Sequence, residues 1–298
     1  MRVVIGGASG FLGAPLVAHL RERGHDVTAL VRRTAGDGES WWKPSEGLVD
    51  QHLIADADAV VNLSGSPISQ WPRTPARKRE ILASRLGATG TLARAVAASP
   101  APPAFLSGSG MSWYGVDRGD EPLGEHASSG TGFLAEVAQR WEAAAAPAVE
   151  AGARVAYLRT SLVMDRSGGA LKLMVLPFRL GLGARLGDGE QYFSTISRRD
   201  WVRAVTHVLE GDLSGPVNLA IPDDVTNRDF TRALAAAVRR PAFLAAPSFA
   251  LRLALGSLAD DLLGSLRLRP DALMADGFTF EDPGIDRVLR TALGRHRG

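Results

Sequence analysis

Apolar residues near the start of the chain occur in short runs separated by glycine-rich and polar segments. Residues 3–5 form the first run and residues 27–31 the second. Between these runs, apolar positions recur at helical spacing as far as Leu20, and Gly24 follows as a helix-ending residue. A strand, a helix and a strand within about thirty residues predict a βαβ unit.

The same alternation continues over the first half of the chain. Further apolar runs predict strands at 40–42, 59–63, 104–106 and 155–158. Helical spacing predicts helices at 75–98 and 132–151. Strands that alternate with helices favour a parallel, doubly wound sheet.

Beyond Thr160 the alternation becomes weaker. The glycine-rich residues 177–191 are predicted as loop and turn, 200–210 as a helix and 215–220 as a strand, with mostly helix after that. The predicted fold class is therefore α/β, a Rossmann-type doubly wound parallel sheet with a smaller, mostly helical C-terminal substrate subdomain. The predicted domains are 1–165, to which 190–221 returns, and a second one made of 166–189 and 222–298.

Composition excludes several classes of protein. The 298 residues are 45% hydrophobic and 22% charged, as in an ordinary globular chain. The net charge is only +2, and the arginines are scattered among acids, so we expect no nucleic-acid partner. There is no cysteine, and the six histidines lack ligand spacing, so we expect no metal site.

No membrane-spanning or targeting segment is expected. The longest uncharged stretch, 95–116, is interrupted by prolines and glycines, and the first strand begins too early to leave room for a signal peptide. We therefore expect a cytoplasmic monomer or homodimer that has a small-molecule substrate and no membrane partner.

The glycine-rich turn after the first strand reads GGASGFLG from Gly6 to Gly13, with glycines spaced G-x-x-G-x-x-G. Such a turn before a helix leaves backbone N–H groups free to bind a pyrophosphate. The alternative is a tight turn without a ligand. The residues assigned here to cofactor binding are Gly7, Ala8, Ser9, Gly10, Phe11, Leu12 and Gly13.

Arg32 and Arg33 follow the second predicted strand, where NAD-selective proteins place an acid on the ribose hydroxyls. Guanidinium groups bind phosphate oxygens in a bidentate manner, so this pair favours the 2′-phosphate of NADP(H). The alternative is a solvated basic turn.

Several motifs together resemble one family. GGASGFLG, VVNLSG (60–65) and SGSGMSWYG (107–115) resemble the extended short-chain dehydrogenase/reductase superfamily of the epimerase/dehydratase type. RKREILASR (77–85), GFLAEVAQRWEAA (132–144) and the segment 177–196 are similar to its branch of epimerase family proteins, some of which are labelled cell-division-inhibitor-like. Residues 247–283 resemble a C-terminal domain of unknown function typical of that branch.

The resemblance implies a chemistry that this chain only partly supports. The superfamily uses a serine, a tyrosine and a lysine, the last two spaced Tyr-x-x-x-Lys on one helix face. Here Phe133 and Val137 occupy the matching positions. The remaining catalytic candidates are Ser109, which matches the superfamily's serine, and Tyr114. The alternatives are a turn serine and a semi-buried ring.

The resemblance also implies contacts to the cofactor at the end of the strand 59–63 and on the following helix. The residues assigned to them are Asn62, Leu63, Ser64, Gly65 and Arg85. Arg85 belongs to a Ser-Arg pair that recurs in the branch, and the alternative for it is a solvated helix arginine. Glu136 and Arg140 are interpreted as a surface ion pair.

Two functions remain open at this point. The first is an NADP(H)-binding epimerase/dehydratase-like oxidoreductase that acts on a small carbonyl or hydroxyl substrate without the usual Tyr-x-x-x-Lys pair. The second is a non-catalytic NADP(H)-binding sensor or scaffold. A fold alone does not separate them, because function belongs to the site.

Overall fold

The structure is a computed structural model that describes residues 1–68 and 72–294. Within these residues the strands are β1 Arg2–Gly6, β2 Asp26–Val31, β3 Glu39–Trp41, β4 Ala59–Asn62, β5 Ala104–Gly110, β6 Pro122–Leu123, β7 Val155–Thr160, β8 Leu162–Met164, β9 Ala184–Leu186, β10 Thr195–Ser197, β11 Gly215–Leu219, β12 Leu244–Ala246 and β13 Arg267–Leu268.

The helices of the same residues alternate with these strands through most of the chain. They are α1 Gly13–Glu22, α2 Gln51–Ala55, α3 Pro75–Ala97, α4 Phe133–Ala143, α5 Ala146–Glu150, α6 Gly169–Arg179, α7 Arg198–Glu210, α8 Asn227–Val238, α9 Ser248–Leu255, α10 Ser257–Leu263, α11 Asp271–Ala275 and α12 Ile285–Ala292. A short 3₁₀ helix, Met111–Tyr114, follows β5.

A parallel seven-stranded sheet in the order β11-β7-β5-β4-β1-β2-β3 organises the described residues. The chain enters at β1, builds outward through β2 and β3, and then crosses to β4 on the other side of β1. This order reverses between β1 and β4, the switch point at which doubly wound sheets bind their ligands. The predicted α/β, Rossmann-type fold is confirmed.

The chain divides into two compact units. The first consists of Met1–Gly110, Glu136–Arg159 and Val205–Val217. The second consists of Met111–Ala135, Thr160–Ala204 and Asn218–Gly298. The returning segment, 205–217, is shorter than the 190–221 that we expected to rejoin the sheet domain.

Each unit has its own core. In the first unit, Val4, Val60 and Phe105 from the sheet pack with Leu92 of α3. Trp42 joins this core at 2% exposure, while Trp41 is 45% exposed. In the second unit α6, α8 and α12 supply much of the core, including Leu171, Leu234, Val288 and Leu289.

Several predicted boundaries are wrong. The strand predicted at 104–106 continues to Gly110. Within this extension Gly108 lies against a tryptophan, since a Cβ on the glycine would lie 2.8 Å from Trp141 Cζ2. The predicted helix 132–151 is two helices that break around Ala145. Residues 177–191, predicted as loop and turn, contain the end of α6 and strand β9.

Candidate functional site

The glycine turn joins β1 to α1, and its three glycines have different reasons to be there. Gly7 has φ +82°, and a Cβ on it would lie 2.7 Å from the carbonyl carbon of Leu63. A Cβ on Gly13 would collide with the carbonyl oxygen of Gly7. Gly10 is exposed, and a Cβ on it would lie 3.2 Å from that same oxygen. Packing therefore requires Gly7 and Gly13 far more than it requires Gly10.

The helix that follows the turn begins without a capping side chain. Leu12 occupies the N-cap position and no side chain accepts a hydrogen bond there, nor does the first turn of α1 carry an acid. Among the described residues, the backbone N–H groups of Leu12 and Gly13 have no protein acceptor. Unsatisfied N–H groups and the positive end of the helix dipole together suit an anion, so the turn fits a pyrophosphate.

The two arginines after β2 differ in their contacts. Arg33 Nη1 and Nη2 donate to the carboxylate of Glu39 at 2.7 and 2.6 Å, and Arg33 Nη1 also donates to the backbone of Thr34. This hydrogen bonding from Arg33, and then that from the backbone of Gly36, lowers the pKa of Glu39. Arg32 is exposed and forms no ion pair among the described residues.

At the end of β4 the side chain of Asn62 is fully buried and held on both sides. Its Nδ2 donates to Thr89 Oγ1 at 2.9 Å, and its Oδ1 accepts from the backbone N–H of Ser64 at 3.0 Å. Trp141 Nε1 donates to the same threonine at 2.8 Å. The N–H of Leu63 continues the sheet by donating to Gly6 at 2.8 Å. Asn62 thus shapes the turn through its side chain.

Two polar groups of this region lack a partner among the described residues: Ser64 Oγ, and Nε of Arg85 on α3. The arginine is only 5% exposed, so the alternative of a solvated helix arginine is wrong. Its Nη1 donates to the carbonyl oxygens of Ser66 and Ile81 at 3.0 and 3.1 Å.

Arg85 forms no ion pair with a carboxylate among the described residues. Arg85 Cζ lies 4.8 Å from the centre of the Trp141 ring. A Cβ on Gly65 would lie 3.2 Å from the same Cζ. Burial, and after it the charge of Arg77, lowers the pKa of Arg85 to about 10. A buried cation without a counter-ion is costly, which favours an anionic ligand at this point.

Ser109 near the end of β5 belongs to a buried ion-pair network that the sequence did not reveal. Its Oγ donates to Glu142 Oε1 at 2.6 Å. Arg159 binds the same carboxylate with two hydrogen bonds of 2.9 Å. All three side chains are buried. The Ser109 proton is therefore directed at Glu142, although its oxygen lone pairs remain able to accept a hydrogen bond.

Tyr114 lies in the second unit and is fully buried. Its hydroxyl lies 2.8 Å from Asn218 Oδ1 and 3.2 Å from the carbonyl oxygen of Gly124. Asn218 is itself anchored by donation to the carbonyls of Leu123 and Arg269. In this arrangement the phenol connects parts of the second unit and does not reach solvent.

Phe133 and Val137 both lie on α4, at the positions that would carry the tyrosine and lysine. Neither side chain can move a proton. Glu136 and Arg140 form the expected surface ion pair, with 3.3 Å between Arg140 Nη1 and Glu136 Oε1. Within 1–68 and 72–294 no cluster of acidic and histidine side chains is arranged to hold a metal.

Sequence reasoning missed the buried partners Thr89, Trp141, Glu142 and Arg159. The available signal was the pair Trp141-Glu142 inside an alanine-rich helical segment, where a large ring and a carboxylate stand out. Their partners come from α3 and β7, far away in the sequence, so the spacing along the chain gave no indication of the contacts.

Family comparison agrees with this geometry. The model of the NAD dependent epimerase/dehydratase family matches residues 3–220. The chain belongs to this epimerase/dehydratase family. A second model, a domain of unknown function named DUF1731, matches residues 246–292.

Relatives with similar sequences or structures match the chain over nearly its full length. An epimerase family protein of Mycobacterium bovis is 43% identical over 296 residues, which cover 98% of each chain. The crystal structure of human epimerase family protein SDR39U1 with NADPH has a TM-score of 0.88 at 32% identity, covering 99% of this chain and 100% of the human one. A nucleoside-diphosphate sugar epimerase from Corynebacterium glutamicum has a TM-score of 0.82 at 34% identity, covering 99% of this chain and 58% of that one.

Proposed function

We propose that the chain binds NADP(H) through its first unit. The observation that carries the proposal is the uncapped start of α1 beside Gly10, a glycine that packing does not strictly require. The pyrophosphate would lie against Gly7, Ala8, Ser9, Gly10, Phe11, Leu12 and Gly13. The similar human protein was crystallised with NADPH, which supports the same cofactor here.

The preference for NADP(H) over NAD(H) rests mainly on Arg32. It is exposed, unpaired among the described residues and placed at the carboxyl end of β2, where the ribose of a bound dinucleotide lies. Arg33 would have to share its guanidinium between Glu39 and a 2′-phosphate. We therefore assign the larger part of the phosphate contact to Arg32.

The turn after β4 would supply the remaining contacts. Asn62 holds its shape, Leu63 and Gly65 border it, and Ser64 Oγ offers an unpaired hydroxyl. Arg85 lies under Gly65 with an unpaired Nε, so a phosphate of the cofactor is a suitable counter-ion for it.

For the reaction, we propose an epimerase/dehydratase-like oxidoreductase that acts on a small carbonyl or hydroxyl substrate. NADPH supplies a hydride when bound. The chain's own contribution differs from the family pattern, because Phe133 and Val137 replace the proton-transfer pair. Ser109 can orient a substrate hydroxyl by accepting its hydrogen bond while Glu142 holds the serine in place.

A second function, a non-catalytic NADP(H)-binding sensor or scaffold, is favoured by one specific observation. The hydroxyls of both catalytic candidates have partners inside the protein: Ser109 donates to Glu142, and Tyr114 is fully buried against Asn218. A general acid must reach the atom to which it gives a proton. In the second function the chain holds the cofactor in the cytoplasm without turnover.

The deciding experiment combines NADPH titration with a screen for NADPH oxidation against carbonyl and quinone compounds. Wild type is compared with Ser109→Ala, Tyr114→Phe and, as a matched control, Tyr157→Phe. Loss of a general acid lowers the rate by about 10²-fold or more. We expect Tyr114→Phe to keep the wild-type rate at every pH. Tight NADPH binding with no turnover of any compound supports the sensor or scaffold, and failure to bind NADPH contradicts both functions.

A further inference from the structure

Two arginines of the first unit are buried, and they differ in what their guanidinium groups bind. Arg159 is 3% exposed and Arg85 is 5% exposed. Nε and Nη2 of Arg159, which lie along one edge of its guanidinium, each donate to the carboxylate of Glu142 at 2.9 Å. This is the bidentate arrangement in which arginine binds a carboxylate or a phosphate.

The same edge of Arg85 is vacant. Its Nε is buried without an acceptor, and its Nη2 also has no acceptor among the described residues. Its Nη1 is the nitrogen in use, and donates to the carbonyl oxygens of Ser66 and Ile81. Nη2 is not enclosed as Nε is, so a ligand can approach this edge from solvent.

The chain supplies no anion for this edge. Glu80, a carboxylate of the same helix, is engaged by Arg77 Nη1 and by Ser66 Oγ. Burial and the charge of Arg77 lower the pKa of Arg85, and no acidic group of the described residues counteracts them. The residues outside the described ranges, 69–71 and 295–298, include no acid. A buried cation of this kind needs a counter-ion, which a ligand can provide.

Packing holds the guanidinium of Arg85 in one orientation. The Trp141 ring lies 4.8 Å from its Cζ, and a Cβ on Gly65 would lie 3.2 Å from its Nη1. The two hydrogen bonds of Nη1 fix the same group from the other end of the side chain's fork. Because the orientation is set before a ligand arrives, little side-chain entropy is lost on binding.

We propose that the vacant Nε–Nη2 edge of Arg85 binds two oxygens of one carboxylate or phosphate group. The corresponding edge of Arg159 binds Glu142 in the same way. The inference rests on the proposed function and deepens it, since it assigns the donor atoms and the chemical class of the bound group.

This group has two sources. One is a phosphate of the cofactor. The other is an anionic substrate, because Trp141 packs against both Arg85 and Gly108, the residue before the catalytic candidate Ser109.

The test follows the Arg85 Nε–H resonance by NMR in the isotope-labelled full chain, assigned through its correlation to the Arg85 backbone. Sodium phosphate, sodium acetate and sodium chloride are added at equal ionic strength. Phosphate and acetate should each shift the resonance to saturation, and chloride should not, because it lacks the paired oxygens that match this edge. No saturable shift with phosphate, acetate or NADPH overturns the proposal, and so does an equal shift with chloride.

A matched pair of variants tests the paired donors. Arg85→Lys keeps the charge but loses the fork, so phosphate affinity, followed at the Gly65 amide, should fall by about tenfold or more. Arg94→Lys changes an exposed arginine of the same helix and should bind like wild type. The Gly10 amide reports phosphate bound at the glycine turn separately. Unchanged affinity in Arg85→Lys overturns the proposal, and the wild-type Nε–H resonance decides if that variant does not fold.

Repeating the titration with saturating NADPH identifies the source of the anion. If NADPH itself shifts the Arg85 Nε–H resonance and prevents the shift by phosphate, the cofactor supplies the group. If phosphate or acetate still shifts it in the NADPH complex, the group belongs to the substrate. A chain that does not bind NADPH contradicts the proposed function, whereas the titration of the free chain still tests Arg85.

Discussion

Arg33 and Glu39 form a bidentate ion pair, with the arginine nitrogens 2.7 and 2.6 Å from the carboxylate oxygens. The neighbouring Arg32 has no such partner among the described residues. Two arginines that look equivalent in the sequence are therefore unequal in their readiness to bind a phosphate. Glu39 would compete with a cofactor phosphate for Arg33. A change at Glu39 should therefore alter the preference for NADPH over NADH.

This inequality predicts the order of effects on NADPH binding. Replacing Arg32 and Arg33 together by alanine should weaken NADPH binding by on the order of 1–3 kcal/mol, and Arg32→Ala alone should account for most of it. Glu39→Gln should strengthen NADPH binding, because it weakens the hold on Arg33. Calorimetric titration with NADPH measures these effects, and NADH is the control. Equal affinities of wild type for NADPH and NADH would contradict the assignment of Arg32 and Arg33 to the 2′-phosphate.

The glycine turn predicts a clean loss of binding. Gly10→Val should abolish NADPH binding with little effect on the fold, because its side chain would occupy the space of the pyrophosphate. Gly87→Val is the matched control, since a Cβ there also lies 3.2 Å from a backbone carbonyl oxygen, that of Pro44. Fluorescence titration and thermal unfolding of both variants make the comparison. Normal binding by Gly10→Val would mean that the turn is only structural.

The buried Arg85 predicts a dependence of stability on pH. Its pKa in the folded protein is about 10, well below the ordinary value of an arginine, so above pH 10 the folded chain loses a proton that the unfolded chain keeps. Below pH 10 the full free-energy cost of burying the charge lowers the stability of the folded protein. Above pH 10 this cost decreases, so stability rises. Relative to Arg85→Met, wild type should gain on the order of 1 kcal/mol between neutral pH and about pH 10.5.

Urea unfolding at several pH values measures this difference, and bound NADPH is the informative addition. A cofactor phosphate beside Arg85 would stabilise its charged form and remove the gain at alkaline pH. The same gain with and without saturating NADPH would show that Arg85 does not contact the cofactor. In that outcome its bond to Ser66 would make it a positioning residue for the turn.

The network around Ser109 predicts unequal costs for its members. Glu142→Gln should lower the free energy of unfolding by about 3–5 kcal/mol, because it leaves Arg159 buried and without its charge partner. Ser109→Ala should cost about 1–3 kcal/mol. Urea unfolding of both variants and of the double variant tests this. Additive costs would contradict a shared network.

The sequence determined the elements whose signals are local. The βαβ unit was predictable from an apolar run before GGASGFLG, helical spacing of apolar residues after it and a second apolar run. These patterns are local because a buried strand and the buried side of a helix each require apolar residues at fixed spacings. The order of strands and helices then gave the Rossmann-type sheet. The pair of arginines after β2 and the replacement of tyrosine and lysine by Phe133 and Val137 were also readable along the chain.

Only the tertiary structure decided what each polar side chain is free to do. Glu39 reaches Arg33 because β3 pairs with β2, and Ser109 is held by Glu142 of a later helix. The burial of Arg85 against Trp141 depends in the same way on segments distant in sequence. Packing between remote segments determines which partner a side chain has and how exposed it is. The neighbouring residues in the sequence do not indicate that packing.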